Sequence, residues 1–238
     1  MSFTKLRPAQ NSALAAAVAS VAILGAGAVH AQDAAGPNFD LSVTAASEYV
    51  GKGLSKSDGE PAVSATAGAA WGDFHATVFA STAKLSQGSD SEVITTVGWG
   101  RDLAGVDVDV SVMHRVLPGS AAGVDSHYWE YQADASRKFG RVSTRLRVNY
   151  SADGFAGTQE AWWTELQLGT ALTRADKFTT AVASRRAHGG ADYTAWNAGV
   201  KHKFDDHIAL DVRWYDTDQH VLGDKYEGRL VGALTYAF

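Results

Sequence analysis

Charged side chains recur at every second position in several segments of this chain. Asp107 and Asp109 alternate with valines between residues 106 and 112, and Arg145 and Arg147 alternate with mostly apolar residues between 142 and 150. Successive side chains of a β-strand point to opposite faces, so each segment has one charged and one apolar face. Charges placed in this way act on ions and polar solutes through their electric field, without a covalent step.

The charges that we expect on the polar faces divide by sign along the chain. The acids lie on the early and middle segments: Asp40, Glu48, Asp107, Asp109, Glu130 and Asp134. The bases lie on the later segments: Arg141, Arg145, Arg147, Lys177, Arg185, Lys201, Lys203 and Arg213. If the segments close into a barrel, we predict that all of these residues except Asp40 and Glu48 line a pore. The excess of bases then favours a weak preference for anions.

A structural role is the alternative for the same charges. Glu130 and Asp134 lie on the segment before the one that carries Arg145 and Arg147. Adjacent strands would let these acids and bases pair, and a lumen crossed by such pairs could be closed. The residues alone leave the open pore and the closed barrel as competing hypotheses.

Signatures of catalysis and metal binding are weak. The chain has no cysteine, which excludes disulfides, thiolate metal sites and cysteine nucleophiles. No Gly-x-Ser-x-Gly motif is present, and the best serine–histidine grouping is His114 and His127 with Ser120 and Ser126. No loop has the spacing of a calcium-binding loop. We expect no catalytic residue, no metal and no cofactor, and keep a lipid-modifying enzyme as the least favoured hypothesis.

The same alternation predicts about twelve strands, which set the positions of these charges. Many have about 9 to 13 residues, longer than the usual 5–6 of soluble domains and close to the 9–11 of a tilted membrane-spanning strand. Short turns alternate with longer polar loops, as in outer-membrane barrels. The predicted bounds are 38–49, 61–71, 74–82, 91–100, 106–115, 126–139, 141–151, 158–172, 177–185, 192–204, 207–217 and 226–238.

Aromatic residues concentrate near both ends of these strands and predict two belts, one at each membrane interface. Near the short turns they are Phe39, Trp71, Phe74, Trp99, Phe139, Phe178, Phe204 and Phe238. Toward the other ends they are Tyr49, Tyr128, Trp129, Tyr150, Trp162, Trp163, Tyr193, Trp196, Trp214, Tyr215 and Tyr226.

The two chain termini carry export features. Residues 1–10 contain Lys5, Arg7 and no acid, residues 11–29 are rich in Ala, Val, Leu and Gly, and Ala31 precedes a plausible cleavage point. This pattern predicts a signal peptide over 1–31 and a barrel domain over 32–238, since the apolar stretch is too weak for an anchor helix. The final strand ends in an outward set that resembles the sorting signal of outer-membrane barrels, namely Leu234, Tyr236 and Phe238.

Charge and closure exclude other classes. Removal of Lys5 and Arg7 with the signal moves the formal net charge from −5 to −7, so we expect no nucleic-acid partner. Backbone polar groups in lipid must all be paired internally, which requires a barrel without open edges. A soluble sandwich or lipocalin-like barrel is less compatible with the sequence, because so many charges could not be buried in a small interior.

The segment 47–62 resembles the TorF family, whose members are assigned as porins without an established substrate. The resemblance is to a pattern S-x-Y-x-x-[RK]-G-x-S followed by S-D-G and P-A, with Gly51-Lys52-Gly53 in place of the more usual aromatic-Arg-Gly. The matching residues are Ser47, Tyr49, Lys52, Gly53, Ser55, Asp58, Gly59 and Pro61. The resemblance implies an outer-membrane β-barrel that passes small solutes, and it identifies no site residue.

These observations together predict an all-β, antiparallel up-and-down outer-membrane barrel of about twelve strands with both ends in the periplasm. The expected function is passive diffusion of small hydrophilic solutes. The expected partners are outer-membrane lipid and, during biogenesis, the barrel-assembly machinery. A closed structural or adhesive barrel is the alternative, because twelve strands lie between the filled 8-stranded and the wide 16–18-stranded barrels. In that case we expect the loop residues Lys52 and Lys56 to contact lipid phosphates.

Overall fold

Long antiparallel strands follow one another throughout residues 36–238, the part of the chain that the computed structural model describes. The predicted signal peptide, residues 1–31, lies outside the described residues. The strands are β1 (Asn38–Ala46), β2 (Val50–Gly51), β3 (Leu54–Ser55), β4 (Ala62–Trp71), β5 (Phe74–Thr82), β6 (Ser91–Leu103), β7 (Val106–Val116), β8 (His127–Phe139), β9 (Val142–Ser151), β10 (Ala161–Ala171), β11 (Asp176–Ala187), β12 (Tyr193–Lys203), β13 (Ile208–Thr217) and β14 (Arg229–Ala237).

Twelve of these strands form one closed barrel, and β2 and β3 form a separate hairpin. Each barrel strand pairs with its neighbours in the chain, and β1 closes the ring by pairing with both β14 and β4. Ser42, for example, faces Ala237 on one side and Thr66 on the other. All ladders are antiparallel, which confirms the predicted fold and leaves the barrel without a free edge.

The connections differ in length at the two ends of the barrel. At the end that we call the short-turn end, two-residue turns use left-handed backbone, as at Ala104 (φ 57°) and Gly105 (φ 81°). Type I′ turns of this kind suit the twist of a hairpin. The long-loop end carries the 3₁₀ segments Ser86–Gly88, Phe155–Gly157, His220–Leu222 and Asp224–Tyr226. No helix in residues 36–238 is long and apolar enough to cross a membrane.

Large apolar side chains cover the outer face of the wall. Phe39, Trp71 and Phe139 are exposed at the short-turn end, and Trp129 and Trp162 are exposed toward the other end, so both predicted belts are present.

The predicted membership of the second belt was partly wrong. Trp163, Tyr193 and Tyr226 are buried inside the barrel, and the Tyr49 hydroxyl binds an interior carboxylate. Consecutive residues alternate between faces, so Trp162 and Trp163 could not both lie outside.

Candidate functional site in the barrel lumen

The first long loop folds back as a short hairpin, which the sequence did not predict. The predicted first strand, 38–49, ends at Ala46, and β2 and β3 follow after three residues. We call Val50–Ser55 the inserted hairpin. Its two-residue turn has Lys52 at φ 52° and Gly53 at φ 80°, a left-handed pair typical of a type I′ turn. Lys-Gly is not one of the strong turn dipeptides, so no sequence signal indicated a hairpin here. The alternating pattern therefore predicted that the first strand continues to residue 49.

The inserted hairpin crosses the lumen. The ammonium of Lys52 binds the carboxylate of Glu130 on β8, and the Lys52 carbonyl oxygen accepts a hydrogen bond of 2.8 Å from the Tyr193 hydroxyl on β12. Strands β8 and β12 are four positions apart around the barrel. One residue can reach both only from inside the ring, so the hairpin obstructs the long-loop half of the lumen.

A network of buried charges holds one side of the inserted hairpin. Lys56, just beyond β3, binds both carboxylate oxygens of Glu92 at 2.8 and 2.7 Å, and the Tyr49 hydroxyl donates to Glu92 at 2.6 Å. The Arg115 guanidinium lies between the two acids and donates hydrogen bonds of 2.8 Å to the Glu92 carboxylate and 3.2 Å to the Glu130 carboxylate. Glu92 is 0% and Glu130 2% exposed. Each buried carboxylate therefore has two cationic partners, which offset its loss of hydration.

The surroundings of the two loop lysines lower the pKa of both side chains. Separation from bulk water lowers the pKa of Lys52 to about 8 and lowers the pKa of Lys56, while the attraction of Glu130 and Glu92 opposes both shifts. Because its pKa of about 8 lies above neutral pH, the Lys52 ammonium remains mostly protonated at pH 7 and can pair with Glu130. The expectation that Lys52 and Lys56 contact lipid phosphates was wrong, because both side chains turn into the lumen.

An apolar patch holds the other side of the inserted hairpin. Leu54 packs against a buried cluster on the opposite wall that includes Trp163, Tyr193 and Tyr226. The backbone also approaches this wall closely, since a Cβ atom on Gly53 would lie only 2.6 Å from the Cβ of Ala195. The hairpin is therefore clamped between a charged wall and an apolar wall.

The residues of the TorF-like pattern build this hairpin and the turn after it. Lys52 and Gly53 form its tip, and Ser55 Oγ accepts a hydrogen bond of 3.3 Å from the Gly59 backbone N–H. Asp58 and Gly59 adopt left-handed backbone before Pro61. Ser47 Oγ accepts from the Gly232 N–H at 3.1 Å, which ties the loop to β14.

Most other predicted charges are paired along the wall. Asp134 binds Arg147 at 2.8 and 2.7 Å, as the structural alternative predicted. Glu130 does not pair with Arg145, which binds Glu165 at 2.8 Å. The remaining pairs are Glu48 with Arg229, Asp109 with His75 at 2.6 Å, Arg213 with Asp211 at 3.1 Å and Arg185 with the Ala191 carbonyl.

The sequence prediction missed four charged residues of the network, namely Glu92, Arg115, and Lys52 and Lys56 as partners of the acids. Glu92 follows the first residue of β6, and Arg115 precedes the last residue of β7. Both conform to the alternation that identified the other charges. They were overlooked because they lie at strand ends, where charges usually belong to solvated loops.

The short-turn end holds unpaired cations. Six basic side chains line a cavity of about 920 Å³ there, and we call this region the basic vestibule. Within residues 36–238, none of the six makes an ion pair with a carboxylate. They are Lys138, Arg141, Arg174, Lys177, Lys201 and Lys203. The acids Asp40, Asp107 and Asp109 lie at the same end of the barrel, on β1 and β7.

The grouping of serine and histidine suggested by the sequence does not assemble into a catalytic arrangement. The ring of His114 lies 4.6 Å from that of Trp129 and 5.8 Å from that of His127, and the Ser120 hydroxyl donates to the Leu117 carbonyl oxygen at 2.7 Å. Residues 36–238 also contain no group of three or more His, Asp or Glu side chains that could hold a metal ion.

Comparison with known proteins places the chain among β-barrels. The sequence model of a family described as "Bacterial protein of unknown function (Gcw_chp)" matches residues 30–230. A search of curated proteins found no match. The NanC porin superposes with a TM-score of 0.61 at 9% identity, covering 83% of this chain and 98% of that chain.

Two structures of a second porin are similar. The KdgM porin superposes with a TM-score of 0.56 at 8% identity, covering 84% of this chain and 99% of that chain. KdgM in complex with disordered oligogalacturonate superposes with a TM-score of 0.55 at 8% identity, with the same coverage. Identities this low establish a shared fold, and the function has to be argued from the residues of this chain.

Proposed function

This chain belongs to the Gcw_chp family, and we propose that it is an outer-membrane channel through which small hydrophilic solutes diffuse passively. The observation that carries the proposal is a closed twelve-stranded wall with charges inside and exposed aromatic and aliphatic side chains outside. An apolar exterior with aromatic belts suits lipid, and a charged interior suits water and polar solutes. The likeness to porins of the same fold supports this reading, and transport includes no chemical step.

The proposed channel has one orientation in the outer membrane. The short-turn end faces the periplasm and the long loops face outward, as is usual for such barrels. Residues 1–31 serve as the signal peptide and 32–238 as the barrel domain. Leu234, Tyr236 and Phe238 serve the barrel-assembly machinery, and the outer face contacts lipid. The finer assignment to the TorF porins rests on the pattern at 47–62, which forms the inserted hairpin.

The route for a solute passes the inserted hairpin and then the basic vestibule. The hairpin narrows the long-loop half of the lumen, so the expected conductance is small. Paired charges along the wall cancel one another at close range, whereas the vestibule carries six cations without carboxylate partners in residues 36–238. A pore mouth with an excess of one sign of charge favours the opposite ion. We therefore propose a weak preference for anions.

Permeation of neutral sugars tests the proposal. Liposomes containing the purified, folded protein are placed in iso-osmotic solutions of sugars of increasing size, and swelling is followed by light scattering. The proposal predicts swelling with a small monosaccharide and slower swelling as size increases. Protein-free liposomes give the baseline, and the folded state is checked by heat-modifiable gel mobility. Swelling no faster than the baseline with folded protein contradicts a solute channel.

A closed barrel is the second candidate, and one observation favours it. The inserted hairpin is fixed on both walls, by Lys52 and Lys56 on the acids and by Leu54 on the apolar cluster. If the clamped hairpin leaves no continuous opening through the lumen, the barrel is sealed and its long loops would bind a partner or lipopolysaccharide. Absence of swelling from folded protein would support this candidate.

A further inference from the structure

The basic vestibule is unlike the rest of the lumen. Elsewhere along the wall the buried charges are neutralised, as Glu92 and Glu130 are by Lys52, Lys56 and Arg115. The six vestibule cations have no such partner within residues 36–238, although they lie close together on strands β8, β11 and β12 and in the turns β8–β9 and β10–β11. Concentration of one sign of charge in a concave, water-accessible mouth raises the local concentration of counter-ions.

The strand register places like charges side by side in this region. Lys177 on β11 lies directly opposite Lys201 on β12. Like charges opposite one another destabilise a sheet. On its other side Lys201 faces Asp211, but that carboxylate binds Arg213 at 3.1 Å. Asp176, the acid beside Lys177, binds the His202 ring at 2.7 Å. The repulsion between Lys177 and Lys201 is relieved if an anion binds between them.

The wall also leaves space for the lysine side chains. A Cβ atom on Gly169 would lie 2.8 Å from Ser143 Oγ and 3.4 Å from Lys177 Cε. Glycine at this position therefore lets the Lys177 side chain lie along the wall of β10. The cavity of about 920 Å³ lies within the size range of small-molecule sites.

We propose that the basic vestibule is a binding site for a small solute that carries several anionic groups, phosphate or carboxylate, held by Lys138, Lys177, Lys201 and Lys203 with Arg141 and Arg174 at the rim. Lysine ammonium groups bind phosphate and carboxylate oxygens as point charges, which suits ligands of variable shape. Such a site would identify multivalent anions as the substrate class of the proposed channel, so its physiological meaning rests on the proposed function. Binding of the anion itself does not depend on conduction.

Calorimetry of the purified protein in zwitterionic detergent tests the site, with inorganic tripolyphosphate and citrate as probes. Lys177→Gln/Lys201→Gln removes two vestibule charges. Arg101→Gln/Arg137→Gln is the matched control, because it removes two charges from the outer face at the same end of the barrel. Heat-modifiable mobility verifies that each variant is folded.

We expect the wild type to bind at least one probe, with affinity at least tenfold weaker in the lysine variant and within twofold in the arginine variant. Preference for tripolyphosphate would identify a phosphate ligand, and preference for citrate would identify a carboxylate ligand. No binding by the wild type, or equal weakening in both variants, would overturn the site. Sugar permeation without anion binding overturns the site alone, and anion binding without permeation overturns the channel alone.

Discussion

The backbone carbonyl of Lys52 accepts a hydrogen bond from the Tyr193 hydroxyl 2.8 Å away, across 141 positions in the chain. The same lysine binds Glu130 through its side chain. One residue at the tip of the inserted hairpin is thus attached to two separate parts of the barrel wall, on β8 and β12. Both attachments would have to be lost, together with the packing of Leu54, for the hairpin to leave the lumen.

Close packing at Gly53 should control hairpin docking. Gly53→Ala places a methyl group 2.6 Å from Ala195 Cβ and also strains the backbone at φ 80°. Gly59→Ala at φ 78° carries similar strain but meets no atom within 4 Å. We expect trypsin to cleave after Lys52 and Lys56 several-fold faster in Gly53→Ala than in Gly59→Ala, measured by mass spectrometry on membrane-embedded protein. Equal cleavage rates would contradict a docked hairpin.

The buried acids should contribute strongly to stability. Glu92→Gln keeps the shape of the side chain but leaves Lys56 without its carboxylate partner, and loss of one member of a buried pair costs about 3–5 kcal/mol. We expect a decrease of this size in the free energy of unfolding, measured by urea titration with tryptophan fluorescence. Asp58→Asn in the exposed Asp58–Lys84 pair should cost at most about 1 kcal/mol. A similar small effect of both substitutions would show that Glu92 is solvated.

The Tyr193 hydroxyl should stabilise the hairpin by the amount of one hydrogen bond. Tyr193→Phe leaves the ring packed in the apolar cluster and removes the donor to Lys52, at a cost of about 0.5–1.5 kcal/mol. Tyr236→Phe, an outward tyrosine stacked on His207, serves as the control and should change stability less. The urea titration measures both. An unchanged free energy of unfolding in Tyr193→Phe would argue against the contact.

Ion selectivity should come from the basic vestibule and not from the paired wall. Asp134→Asn/Arg147→Gln removes a neutralised pair, so the reversal potential in a salt gradient should stay the same. Lys177→Gln/Lys201→Gln removes unpaired charge and should shift the reversal potential toward cation preference. A larger shift from the paired variant would locate the selectivity in the wall instead.

The barrel was predictable from sequence because its rules are local. Alternation, strand length and turn chemistry each depend on a few neighbouring residues, so all twelve barrel strands were identified with every bound correct to within three residues. The pairing of Asp134 with Arg147 was predictable for the same reason, since their strands are neighbours.

The contents of the lumen were not predictable because they depend on closure. Lys52 and Glu130 are 78 positions apart and meet only once the ring has formed. The Lys-Gly turn of the hairpin carries a weak local signal, and Tyr49 continued the alternation of β1. A loop that folds into a barrel therefore looked like a strand end followed by a solvated loop.

Single-channel current in a planar bilayer tests the central claim most directly, with the wild type compared against Lys52→Gln/Lys56→Gln. A lumen that conducts solutes past a clamped hairpin predicts small discrete steps for the wild type. It predicts larger or longer openings for the variant, because the hairpin loses its two ion pairs with Glu130 and Glu92. Absence of steps from both proteins, each verified as folded, would contradict the channel and leave a sealed barrel.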